Sequence, residues 1–287
     1  MATMDEIDRA IQNALKEDVG PGDVTSMAIV PASVCLLGQF IVKAPGVVAG
    51  LEIAGQVFRF LDDKIVYTPL VPEGSVVAVG DIVARVEGCG PSILTAERVA
   101  LNFLQRMSGI ATMTRRFVAA VAGTRARILD TRKTVPGLRT LDKQAVTLGG
   151  GMNHRSGLYD MVLIKNNHIA IVGGIAEAVR LARAQAKTLA IEVEVQSLEQ
   201  LDEVLGLDVD RVMLDNMDLE AMRQAVRRTA GRVALEASGG ITLDSVAAVA
   251  ATGVDFISVG ALTHSVTSLD ISLEVTLAGP GQAEGRS

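Results

Sequence analysis

Little in this 287-residue sequence invites cross-linking, metal binding or membrane insertion. It has two cysteines and three histidines. Cys35 and Cys89 stand in apolar or glycine-rich surroundings without partner spacing, so buried, reduced thiols are expected, not a disulfide or a metal site. His154, His168 and His264 have no CxxC or HxxxH companion, which argues against zinc. Apolar runs fall short of the roughly 18 residues that span a bilayer. The opening MATMDEIDRAIQNALKED is acidic and amphipathic, where a secretory leader would be basic and then apolar. No membrane partner and a cytoplasmic location are the expectations. Basic excess is lacking as well: the formal net charge is -6. Nucleic acid would need basic residues spread along a surface, so it is not an expected partner.

Hydrophobic residues make up 49% of the chain, ample for a large core, and the length suggests about two domains. Against the acidic background, residues 125–165 carry Arg125, Arg127, Arg132, Lys133, Arg139, Lys143, Arg155 and Lys165 but only Asp130, Asp142 and Asp160. A cationic island of this kind implies a small polyanionic ligand held at one place. Arg132, Lys133 and Lys165 each follow an apolar, strand-like run, which favours a site over a solvated charged loop.

Residues 5–17 place Ile7, Ile11, Ala14 and Leu15 on one helical face, and VGPGDVTS ends that helix. Short β-branched runs with Pro and Gly punctuation then fill 34–88, a β-rich module. A helix is expected over 95–107, with Val99, Phe103, Leu104 and Met107 inward and Arg98, Asn102, Gln105 and Arg106 on the opposite stripe. After residue 110 the rhythm is strand then helix. The strands read ARILD, DMVLI, LAIEVEV, DRVML, VALEA and DFISVG. Apolar strands alternating with amphipathic helices indicate a parallel sheet covered by helices. An eight-stranded barrel would need more strands, so the expected fold is α/β: an N-terminal open sandwich over 1–111, to which 273–287 returns, and an incomplete, about six-stranded parallel barrel over 112–272.

Each of these strands ends on chemistry: Thr131-Arg132-Lys133, Lys165, Glu194, Asp215, Ser238-Gly239-Gly240, and Val259-Gly260-Ala261. Residues at the C-terminal ends of parallel barrel strands converge on one mouth. The glycines after the last two strands suit a phosphate cradle of backbone N–H groups. Glu194 and Asp215 can hold ribose hydroxyls, place a hydrated Mg2+ or stabilise a cationic transition state. Arg132, Lys133, Arg155 and Lys165 can pair carboxylates or diphosphate. Together they suit a phosphoribosyl diphosphate and a carboxylated acceptor.

The stretches GDVTS (22–26), TAERVALNFLQRMSGIAT (95–112), DTRKTVPGLR (130–139), GGGMNHRSGLYD (149–160), IKNNHI (164–169), VEVQSLEQL (193–201), MLDNM (213–217), EASGGI (236–241) and GVDFISVGALTHS (253–265) closely resemble the quinolinate phosphoribosyltransferase family, of the type II phosphoribosyltransferases. The resemblance covers nearly the whole chain. It implies Mg2+-dependent transfer of phosphoribosyl from 5-phosphoribosyl-1-diphosphate to quinolinate, giving nicotinate mononucleotide, CO2 and diphosphate in NAD biosynthesis. It also implies a homodimer, open to higher assembly, with sites formed between subunits and Arg98 reaching the neighbour's. Matched by motif, Arg98, Arg132, Lys133, His154, Arg155 and Lys165 resemble the family's cations for quinolinate and diphosphate. Glu194 and Asp215 resemble its ribose and Mg2+ carboxylates, and Ser238, Gly239, Gly240 and Gly260 its 5′-phosphate cradle. Asn166 stands where the family usually has Asp or Glu, Gln144 where Tyr is common, and Thr147 where Arg is common. The rival readings are a related pyrophosphorylase-like protein of molybdenum transport loci, a Schiff-base aldolase using Lys165, and a noncatalytic sensor of phosphorylated metabolites.

Overall fold

Among the described residues, twelve strands and their intervening helices are laid down by stretches whose apolar period switches between two and 3.6 residues. The computed structural model describes residues 4–278. By internal packing the chain forms two units. The first comprises 1–113, 135–149 and 266–287, and the second 114–134 and 150–265.

In the first unit, the helix Met4–Val19 buries Ile11 and Leu15, and Asp23 caps the helix Val24–Ile29 through the amides of Thr25 and Ser26. Strands β1 (Cys35–Val42), β2 (Gly46–Val47), β3 (Val66–Pro69), β4 (Val76–Val77) and β5 (Ile82–Cys89) follow. A four-stranded antiparallel sheet has the order β12-β1-β5-β3, where β12 is Ile271–Leu277, and β2 pairs with β4. The tail thus lies along β1 as far as Leu277, and 279–287 fall outside the described residues. The helix Leu51–Leu61 interrupts what reads as a β-rich stretch; its Leu51, Ala54, Val57 and Phe58 recur at helical spacing and are buried. Phe58, Phe40 and Tyr67 pack ring against ring with centroids 5.8–6.0 Å apart.

The thiols are not buried as expected. Cys35 is exposed and Cys89 half-buried, because both lie at strand ends, where they face each other in register across β1 and β5 as free cysteines.

The helix expected over 95–107 runs much further, Gly90–Ala120, since buried apolar positions continue through Ile110, Ala111 and Phe117. Gly109 is required within it: a Cβ there would collide with the Thr267 carbonyl. Arg106 does not lie on a solvated stripe. It makes a bidentate pair with fully buried Asp142 (2.9 and 2.7 Å), whose Oδ2 also accepts the Val135 N–H. These bonds explain why 135–149, expected in the barrel, groups with the first unit.

The second unit is a six-stranded, wholly parallel sheet of order β6-β11-β10-β9-β8-β7, with helices between successive strands. Its strands are β6 (Arg127–Leu129), β7 (Val162–Ile164), β8 (Ile191–Val195), β9 (Arg211–Asp215), β10 (Ala234–Ser238) and β11 (Phe256–Ser258). This is the expected incomplete α/β barrel, open between β6 and β7. Along the free edge of β6, Met152 exchanges main-chain hydrogen bonds with Ile128 and Asp130. The basic stretch 125–165 contains β6, the helix Arg139–Leu148 and β7.

Candidate active site

Six parallel strands in one sheet bring their C-terminal ends to one side, and the barrel's polar strand-end residues lie there. Lys165 directly follows β7, where its main chain caps the helix Asn166–Val172 and its N–H donates to His168 Nδ1 at 2.9 Å. Its ammonium lies 2.7 Å from Glu194 Oε2 on β8, and Asn166 Nδ2 is 3.4 Å from the other Glu194 oxygen. Asp215, closing β9, accepts from Gln196 Nε2 at 3.2 Å and from Asn216 Nδ2 at 3.0 Å. The Ser238 carbonyl at the end of β10 accepts the Asn216 N–H. Gly239 has φ +101°, and a Cβ would collide with the Asn216 side chain; Gly240, at φ +60°, has open space beside it. The turn after β10 therefore needs glycine at 239 for conformation and for room.

Lys133 and Gly260 come together although 127 residues (260 - 133) separate them. The Lys133 N–H donates to Thr131 Oγ1, and its carbonyl accepts Thr263 Oγ1 at 2.9 Å. A Cβ on Gly260 would stand 3.0 Å from Lys133 Cδ. Gly260 and Ala261 begin the helix Ala261–His264, where the first amides lack intrahelical acceptors. Val259 departs from the expectation that it serves a phosphate: its N–H donates to the Leu129 carbonyl at 3.0 Å and its side chain is buried. The sheet has already used that amide.

The remaining cations divide. Arg125 is paired with Asp255, and Arg139 and Lys143 belong to the first unit. Arg132 and Arg155 stay together: burial first, and then the neighbouring Arg132 charge, lower the Arg155 pKa against the opposing pull of Glu192 and Asp160. Two neighbouring guanidiniums are the kind of group that pairs with carboxylates. Arg155 Nη1 donates to the Met161 carbonyl at 3.1 Å.

His154 lies at the floor of the site. Its ring is nearly fully buried, with Nε2 3.0 Å from Glu192 Oε2 and 3.4 Å from Glu236 Oε2. Sequence reasoning overlooked both glutamates. The readable signal was alternation: Glu192 precedes Glu194 by two on β8, and Glu236 precedes Ser238 by two on β10, so each shares a face with a mouth residue one layer further out.

Glu194 and Asp215 are hard oxygen donors of the kind Mg2+ takes, but their oxygens already accept from Lys165, Asn166, Gln196 and Asn216. They fit a hydrated ion held through water, not a fully protein-ligated one. Among the described residues, His154, Glu192 and Glu236 form a tight ligand-like cluster, but Arg211 stands 3.0 Å from Glu236 Oε2 and occupies the place of a cation. Arg98 is exposed on its helix in the first unit. No helix among the described residues is long and apolar enough to cross a membrane.

Residues 23–108 match the N-terminal domain, and 110–274 the C-terminal domain, of quinolinate phosphoribosyl transferase. The chain is 46% identical over 273 residues to a carboxylating nicotinate-nucleotide pyrophosphorylase of Mycobacterium leprae, covering 92% of this chain and 95% of that one. Among solved structures, NadC from Streptococcus pyogenes superposes with a TM-score of 0.93 at 40% identity, covering 97% of this chain and 99% of that one. The nicotinate-nucleotide pyrophosphorylase of Francisella tularensis gives 0.92 at 41% identity, covering 95% and 96%.

Proposed function

This chain belongs to the quinolinate phosphoribosyltransferase family, and on that premise we propose that the barrel mouth described above is where its reaction takes place. The enzyme transfers phosphoribosyl from 5-phosphoribosyl-1-diphosphate to quinolinate with decarboxylation, yielding nicotinate mononucleotide, CO2 and diphosphate for NAD biosynthesis. The observation that carries the assignment of the site is the convergence of Lys133 against Gly260, of Arg132 beside Arg155, and of Lys165 on Glu194 within one barrel.

In this reading Arg132 and Arg155 take the two carboxylates of quinolinate and fix the ring nitrogen toward the ribose. Lys133 and Lys165 counter the charge of the diphosphate and 5′-phosphate, and Ser238, Gly239, Gly240, Gly260 and Ala261 provide close main-chain approach for the phosphate. Glu194 and Asp215 hold the ribose hydroxyls and stabilise positive charge as the ribose C1–O bond to diphosphate breaks and the C1–N bond forms. Glu194 and Asp215 would hold a hydrated Mg2+ through water, and the ion would supply positive charge to the leaving diphosphate. The product ring is an N-substituted pyridinium, so the electron pair left when the adjacent carboxylate departs as CO2 is stabilised by the ring cation until a proton replaces it. The protein's task is orientation and fixed charge.

A homodimer in which Arg98 serves the partner's site, and a cytoplasmic location, belong to the same proposal; exposure of Arg98 supports the first. The aldolase reading is disfavoured because Lys165 is half-exposed and ion-paired, where imine formation needs a desolvated amine. The deciding experiment is release of labelled CO2 from quinolinate by the purified protein. Release is expected only with both 5-phosphoribosyl-1-diphosphate and Mg2+ present; release without the diphosphate, or none with both, would refute the assignment.

A further inference from the structure

Beneath the mouth, the barrel buries charge. Glu192 and Glu236 are wholly inaccessible, and both aim at the imidazole of His154. Carboxylates in a core carry a heavy desolvation cost, and a pair of them facing one side chain calls for an explanation. Every neighbouring strand contributes a polar group: Glu192 from β8, Arg211 from β9, Glu236 from β10, Ser258 from β11, and Asp130 just beyond β6. Arg211 bridges to Glu236 and lies over the Phe256 ring, 4.2 Å from its centroid. The His154 N–H donates to Asp130 Oδ1 at 2.8 Å, and Nδ1 of its ring accepts the Arg155 N–H at 2.7 Å.

The last bond decides the proton count. Hydrogen bonds and charge from the two carboxylates outweigh burial and push the imidazole pKa up to about 9. A doubly protonated ring, however, would set its Nδ1–H against the Arg155 N–H. The arrangement is consistent with a neutral ring whose Nδ1 accepts that amide and whose proton sits on Nε2, the side that faces the two carboxylates.

We propose that Glu192 and Glu236 are positioning residues for the known reaction: facing Nε2 of His154 at 3.0 and 3.4 Å, they turn Nδ1 to the Arg155 amide and so fix the Arg155 guanidinium beside Arg132. This rests on the reading that the two arginines receive the dicarboxylate. Two like charges in a partly buried place separate unless something pins them. Arg155 is pinned at both ends, by His154 at its main chain and by the Met161 carbonyl at its guanidinium. Neither glutamate needs to touch the substrate.

The test combines kinetics with direct observation of the ring. Glu192→Leu removes the acceptor and is expected to raise KM for quinolinate on the order of tenfold or more, with KM for 5-phosphoribosyl-1-diphosphate changed far less. Glu192→Gln keeps a neutral acceptor and should lose less. His154→Asn, which retains an oxygen at the Nδ1 position, should outperform His154→Gln, which does not. Three histidines make ring-15N-labelled protein tractable by solid-state NMR, and His154 is expected as the Nε2–H tautomer at neutral pH. If Glu192→Leu does not fold, Glu192→Gln and the two His154 variants still separate the outcomes. An imidazolium signal, a stoichiometric metal lost on Glu192→Gln, or equal losses for both substrates tracking thermal stability would each overturn the proposal. Failure of the underlying reading has its own signature: Arg155→Ala with unchanged KM for quinolinate would refute the arginine receptor, and the positioning role with it, even if the tautomer is found as assigned.

Discussion

The two units bury charge to different extents. The first packs Phe40, Phe58 and Tyr67 edge and face against a sheet and matches its fully buried carboxylate, Asp142, with one bidentate guanidinium, Arg106. The second places His154, Glu192, Glu236 and Arg211 where a barrel would ordinarily stack Val, Ile and Leu. An apolar core is forgiving of chemistry elsewhere and is sensitive to volume. A charged core is sensitive to every proton and acceptor, and it occurs in the unit that carries the mouth.

The sharpest way to break this contrast is Phe40→Ala. Phe40 is fully buried between two rings, so the loss of stability is expected to be about 3–5 kcal/mol, read by denaturant unfolding; a loss below about 1 kcal/mol would mean the ring cluster is not the footing of the first unit. Next in size, Lys133→Ala should cost about 2–4 kcal/mol of transition-state stabilisation in kcat/KM. The side chain is exposed, so thermal stability should hardly move; near-normal turnover would remove Lys133 from the site.

The charged core should also show itself in pH. Burial holds the Glu192 carboxyl above its ordinary 4.5, so the folded chain retains a proton that the unfolded chain releases. The stability this contributes is full below the unfolded value and is lost as pH rises through the folded one. Glu192→Gln cannot ionise, so its melting temperature relative to wild type should climb as pH rises above the ordinary carboxyl range; a constant difference would contradict the raised carboxyl. Arg98→Ala should have the smallest effect on stability, within about 0.5 kcal/mol. Mixed with Lys133→Ala subunits under proven exchange, it should regain activity, since one site of a mixed dimer escapes both lesions; no recovery would refute action across subunits.

Much of this was legible in the residues. The six barrel strands could be read because each is a short apolar run flanked by helical period, and their polar ends could be read because β-to-loop transitions expose side chains. The helix Leu51–Leu61 escaped notice because its Ile53, Val57 and Phe58 also favour strands, and tertiary packing decides between the two. The pairing of Cys35 with Cys89 depends on antiparallel register, which no local spacing reveals. Glu192 and Glu236 were passed over for a related reason: an acid inside an apolar strand reads as an interruption until the opposing side chain, on a loop far away in sequence, is known. Val259 reads as part of a phosphate loop, and only the ladder bond to Leu129 shows that its amide is committed.

The free edge of β6, along which Met152 runs, has a consequence for what the barrel can contain. In a closed cylinder every side chain reaching the axis is rooted in the wall, so the interior is restricted to what strands can present. Here the missing staves leave an aperture. Through it a loop residue, His154, enters from the side and meets glutamates standing on β8 and β10. Incompleteness in this fold is thus a means of access: it lets an irregular segment, free of pleat and register, place an imidazole and the arginine that follows it where no strand could.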